Sequence, residues 1–228
     1  MKFVGNLVLG ASLIVGVPLV RAATHLQQSN VLVEPPTALP EPAQLASQGM
    51  LLYSNHFTHA WLYLEQEQGS LLSVFDVSEP SRIRLVATVR TGVEKPYDLI
   101  QAAHKHYAIA RFRDGSGEML LNLSHPRAPR LTAIPAMPYS PADLDIPPEY
   151  PGIELRVVTR SDDGQDLQII EPGTVPQLIA IVTHVTRQAF RPETGTLFLL
   201  GDRGLTVVRD LNTEQDWELS FVDDESQD

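Results

Sequence analysis

One arrangement recurs along this chain of 228 residues: a short apolar run ends in a polar turn, and a second run follows with a Leu near its start. It reads Phe75-Asp76-Val77-Ser78-Glu79-Pro80 before Leu85, and Leu121-Asn122-Leu123-Ser124-His125-Pro126 before Leu131. Weaker copies are Gln168-Ile169-Ile170-Glu171-Pro172 before Leu178 and Arg209-Asp210-Leu211-Asn212 before Leu219. The leucines stand roughly forty to fifty residues apart, the period of units built from four short strands. The turn has a physical basis. Asp76 or Asn122 can accept from its own downstream backbone, Ser78 and Ser124 do so more weakly, and Pro80 and Pro126 stop the strand. The following Leu is expected to point into the space between neighbouring sheets.

The pattern predicts strands at 50–54, 60–65, 71–77 and 84–89, then at 98–102, 107–112, 118–123 and 130–134. A third set is expected at 142–146, 153–159, 166–170 and 177–182, and a fourth at 188–191, 196–200, 205–210 and 217–222. Gly69, Gly115, Gly164 and Gly201 through Gly204 fall between the second and third strand of each set, where hairpins need positive backbone angles. No segment after residue 25 shows a helical period. The reading is therefore all-β: a β-propeller-like domain at 47–222 with about four four-stranded antiparallel blades, at 47–90, 97–135, 140–183 and 187–222.

Two stretches precede that domain. Lys2, the apolar run 3–20 and Val20-Arg21-Ala22 have the plan of a secretory signal peptide cleaved after Ala22, with an uncleaved membrane anchor as the alternative. Residues 23–46 hold Pro35, Pro36, Pro40 and Pro42 and read as an extended Pro-rich linker, with a stray strand at 28–33 that could cover a sheet edge. Residues 223–228 read as an acidic tail. The net charge is −11, and losing Lys2 and Arg21 with the leader makes it more negative. Such a surface repels phosphate backbones, which argues against nucleic-acid partners, and against membrane association other than through an uncleaved leader. The absence of cysteine excludes disulfides, thiolate nucleophiles and cysteine metal sites.

The first two copies, Asp76-Val77-Ser78-Glu79-Pro80 with Arg84-Leu85-Val86 and Leu123-Ser124-His125-Pro126 with Pro129-Arg130-Leu131, resemble the LVIVD repeat of bacterial and archaeal exported or cell-surface β-propellers. The third keeps Pro176 and Leu178. The fourth keeps Asp210 and Leu219 without either proline. What the resemblance implies is an exported, periplasmic or secreted interaction domain, with no catalytic signature to carry over.

No hydrolase, phosphate-loop or zinc-protease motif is present. His56 and His59 occupy a loop that corresponds to that of His104 and His106, so the four are weak candidates for a metal site on one rim. Asp162-Asp163-Gly164 reads as a hairpin turn rather than a calcium loop. Asp143, Asp145 and Glu149 carry no selecting pattern. The segment 135–151 holds Pro138, Pro141, Pro147 and Pro148 with Tyr139 and Tyr150, a stiff loop with stacking surface, and is the candidate binding loop. The expected function is non-enzymatic binding of a protein or cell-envelope component through rim loops, with no cofactor. The alternatives are a periplasmic hydrolase or metal-dependent lyase, and a structural domain that pairs as a homo-oligomer.

Overall fold

The structure is a computed structural model that describes residues 29–55, 58–101, 106–134, 150–162 and 164–225. The chain enters through β1 (Val31–Glu34) and two short 3-10 turns, Pro36–Ala38 and Glu41–Gln44. Next come β2 (Ser47–Asn55), β3 (His59–Gln66), β4 (Leu71–Asp76) and β5 (Arg84–Arg90), an antiparallel sheet in that order. A second such sheet follows, with β6 (Tyr97–Gln101), β7 (Tyr107–Phe112), β8 (Glu118–Asn122) and β9 (Arg130–Ile134). The third sheet has six strands in the order β1-β14-β13-β12-β11-β10. Its later members are β10 (Glu154–Ser161), β11 (Gly164–Glu171), β12 (Gln177–Arg191), β13 (Thr196–Gly201) and β14 (Gly204–Asp210). The helix α1 (Leu211–Glu225) ends the described chain. The expected all-β architecture is present. The predicted strand at 142–146 lies outside the described residues.

The sheets pack face on face, and side-chain alternation along the strands decides which layers meet. On β3, Ala60, Leu62 and Leu64 face one way and Tyr63 the other. The first set packs on Phe198, Leu200, Leu205 and Val207 of β13 and β14. Tyr63 joins Tyr97, Leu99, Ala108 and Leu121 of the second sheet. The opposite face of β13, Leu197 and Leu199, shares a third core with Leu167 and Ile169 of β11 on the same sheet, closed by Tyr150 and Ile153. Strands β3 and β13 are thus covered on both faces, which is why Thr196–Gly201 is buried at every position.

The recurring turn forms as its chemistry requires. Asp76 Oδ1 accepts from the Ser78 N–H at 3.0 Å, and Asn122 Oδ1 from the Ser124 N–H at 2.9 Å. Three of the leucines hold one register position, opposite the residue just before the turn: Phe75 faces Leu85, Leu121 faces Leu131 and Ile170 faces Leu178.

Several expectations need correction. The leucines do not all point between sheets. Leu131 is partly buried, but Leu85 is 42% and Leu178 52% exposed. Leu85 lies on the edge strand β5, and Leu178 on the half of β12 that pairs with β11 alone. Leu219 is on α1, not on a strand, and is 54% exposed. The segment 217–222 is helical because Asp210 caps it. Asp210 Oδ1 accepts from the Asn212 N–H and Oδ2 from the Thr213 hydroxyl, and no proline follows to end the turn. The strand slot beside β14 is taken instead by β1, which pairs Val31 with Asp210 and Glu34 with Val207. Residues 29–46 are accordingly no spacer: Val31, Leu39 and Ala43 are buried in the core. The strands expected at 177–182 and 188–191 are one irregular strand. It bends at His184, whose φ is 53° and whose N–H donates to Asp166 Oδ1.

Candidate functional site

A carboxylate and two arginines tie together residues of all three sheets. Asp98, on β6, lies on the face of its strand opposite the buried Tyr97 and Leu99. Its Oδ1 accepts from Arg187 Nη2 of β12 at 2.6 Å and from Arg113 Nη2, just past β7, at 2.8 Å. Arg113 also donates to the backbone carbonyl of Gln48, on β2, at 2.6 Å and to its side-chain oxygen at 2.8 Å. Burial works against the charge on Asp98, but the bonds and charges of Arg187 and Arg113 outweigh it and hold the carboxyl below its ordinary range. The three side chains are about a third exposed. Among the described residues Arg187 donates besides only to the Thr186 carbonyl, which leaves part of its five-donor fork open to them. Two cations on one anion make this rim locally positive in a chain of net charge −11.

Beneath the rim lies a second carboxyl. Glu65 is fully buried on the β3 face toward β6. Gly49 leaves the space, since a Cβ there would stand 2.7 Å from the Tyr97 carbonyl. The Gly49 N–H donates to Glu65 Oε2 at 3.1 Å. Burial pushes the Glu65 carboxyl up. The Arg113 charge and the N–H groups of Gly49, Gly69 and Gln48 oppose this without cancelling it. Tyr97 is raised by burial and then by Glu65, and neither its hydroxyl nor Glu65 Oε1 has a partner among the described residues. The turn after β3 is set by Gly69, at φ 90°: any Cβ there would strike the Lys95 carbonyl at 1.9 Å.

The sequence-derived candidates fall elsewhere. His56 and His104 lie outside the described residues. His59 stacks on Trp61 at 5.8 Å, Trp61 on Tyr53 at 5.9 Å, and the Tyr53 hydroxyl shares a 3.2 Å hydrogen bond with His106 Nδ1. Two aromatic residues therefore connect the two histidine loops. Among the described residues no three His, Asp or Glu side chains are grouped to hold a metal. Pro138, Tyr139, Pro141, Pro147 and Pro148 of the candidate binding loop lie outside the described residues. Tyr150 does not serve as a free contact. It is buried, bridges to Ile153 and meets Phe190 edge-on at 4.7 Å, and burial pushes its hydroxyl up to about 12. Asp162 sits in the tight turn between β10 and β11, which the pairing of Ser161 with Gly164 closes.

Sequence reading missed Gln48, Asp98, Arg113 and Arg187. They come from three different units, and Gln48 and Arg187 meet the Asp98–Arg113 pair only because β2, β6 and β12 are neighbours in space. The chain matches no protein-family model and no curated protein sequence.

Proposed function

We propose that this chain is an exported, non-enzymatic interaction module of the β-propeller kind, related to LVIVD-repeat proteins, that binds a protein or a cell-envelope component at its rim. The shared register of Leu85, Leu131 and Leu178 supports equivalent units, and the face-on stacking of the layers supports their arrangement around an axis. On this reading β12 serves as the outer strand of one unit and the inner strand of the next, and β1 completes the last. Lys2 with the apolar run 3–20 supports export to the periplasm or beyond. None of the described helices is long and apolar enough to cross a membrane.

The observation that carries the binding reading is Asp98 held between Arg113 and Arg187. Arg113 is taken up by Asp98 and Gln48, and Arg187, from a separate sheet, keeps guanidinium donors open at one partly exposed point, where an acidic group of a partner gains charge-assisted bonds. The segment 135–149, with its prolines and Tyr139, is proposed as a further contact on its sequence alone.

Capture from cell-envelope extract tests this. Three baits are compared: wild type, Arg187→Gln, and a protein with 135–149 replaced by a Gly-Ser linker, each verified as folded by circular dichroism. The reading predicts partners that wild type retains and at least one altered bait loses. The same proteins on all three baits and on empty resin would refute it. Mass analysis of the exported protein tests the leader, with cleavage after Ala22 expected.

A further inference from the structure

An open strand edge lies on another part of the molecule, and what it takes does not depend on the rim reading. The two halves of β12 have different neighbours. From Val185 to Arg191 the strand pairs with β13, whereas Gln177–Val182 pairs with β11 alone. The other edge of that stretch has no ladder partner among the described strands, and an open cavity of about 420 Å³ runs along Ile179–Thr183. Donors and acceptors that repeat along a strand edge select another extended backbone, which meets each with one of its own. Val175, Leu178 and Ile181, at 83%, 52% and 55% exposure, border the edge and give such a backbone apolar surface to cover.

Val33, Pro35 and Pro36 line the cavity too, but β1 does not supply the ladder. Pro35 and Pro36 have no N–H, and their carbonyls accept from Ala38 and Leu39. The Ser29 hydroxyl takes up both the N–H and the C=O of Val31, at 3.1 and 3.0 Å. The start of the described chain is fixed beside the edge: the Asn30 N–H donates to Glu171 Oε1 at 2.9 Å, and Glu171 pairs with Gln177, where the edge begins. The segment before Ser29 therefore enters at the Gln177 end. Its last six residues, Ala23-Thr24-His25-Leu26-Gln27-Gln28, lie outside the described residues and match Gln177–Val182 in number. They include no proline or glycine to interrupt a strand and no Asp, Glu, Lys or Arg. We propose that residues 23–28 form the missing partner of this edge. They run antiparallel to Gln177–Val182, ending at the Gln177 end and turning there into β1, and they close the edge to other chains.

Hydrogen exchange resolved by segment, on the purified protein and two double variants, tests this. Alternate residues of a strand turn their N–H groups to the same side, so Thr24→Pro/Leu26→Pro and His25→Pro/Gln27→Pro remove donors from opposite edges of the segment. Wild type is expected to protect residues 177–182. One proline pair should speed exchange there about tenfold, the worth of one lost hydrogen bond, and the other pair should leave it at the wild-type rate. Exchange over β13, buried at every position, should be the same in all three proteins and shows that each is folded. Equal exchange over 177–182 in wild type and both variants would overturn the assignment, as would equal acceleration by both pairs. Protection of 177–182 that is lost on dilution would also overturn it, by giving the edge to a second copy.

Discussion

Two buried arginines act as ties between parts distant in sequence. The Arg191 side chain is 1% exposed and donates through Nη1 to the carbonyls of Val77 and Ser78, at 2.8 and 2.7 Å, with Trp217 5.2 Å below its guanidinium. Arg191→Met would leave both carbonyls without a donor and is expected to cost about 2–4 kcal/mol in urea unfolding. Arg209 forks onto Glu214 at 2.8 Å and reaches Glu34 at 2.6 Å, joining α1, β14 and β1. Glu65 supplies a pH signature. Its carboxyl is raised by burial, so its contribution to stability is fully present below the ordinary glutamate range, near pH 4, and is lost as pH climbs through the raised value. Glu65→Gln keeps an acceptor for the Gly49 N–H and has no charge to bury. It is expected to be more stable than wild type near neutral pH, with the difference vanishing in acid; denaturation at a series of pH values measures this. At this scale the Asx turns at Asp76 and Asn122 were legible in sequence, because their chemistry reaches only two residues. Arg191 and Glu65 were not, since their partners lie in distant turns, strands and the helix.

Among the elements, 217–222 gives up the outer-strand role that the pattern gave it, and β1, overlapping the strand expected at 28–33 as an edge cover, takes that place. The final unit needs an outer strand, and the periodicity assigned 217–222. The chain instead starts a helix at Asp210 and draws β1 from the other terminus. A strand on an open edge gains a full set of backbone partners, and Val31 gains burial at 4% exposure. Deleting residues 29–35 is therefore expected to expose the β14 edge, lower the melting temperature and promote aggregation. A synthetic peptide of residues 29–36 added in trans should restore part of the loss, with differential scanning fluorimetry as the readout. The interior strands were legible because apolar runs bounded by glycine turns have few other solutions. The bend at His184 was not, because its positive φ falls on a residue whose identity does not announce it.

At the scale of the whole molecule, the Asp98–Arg187 bond joins the β6–β9 sheet to the six-stranded sheet. Asp98 is held below its ordinary range, so its contribution is present above about pH 4 and is lost as acid protonates it. Arg187→Gln is expected to unfold at a less acidic midpoint than wild type and to show the larger change in the second sheet. Hydrogen exchange resolved by segment would show β6–β9 losing protection first. The same pattern in β2–β5 would contradict this role.

Local rules determined what is local: the all-β class, most strand boundaries, the hairpin glycines and the polar turns. These follow from side-chain alternation and turn chemistry within a few residues. Tertiary structure decided which strand fills the outer edge beside β14, how far each Leu is buried, and which charges meet at Asp98. Those outcomes depend on competition between distant segments for the same hydrogen-bonding edge or apolar face, and a linear pattern carries no record of who wins.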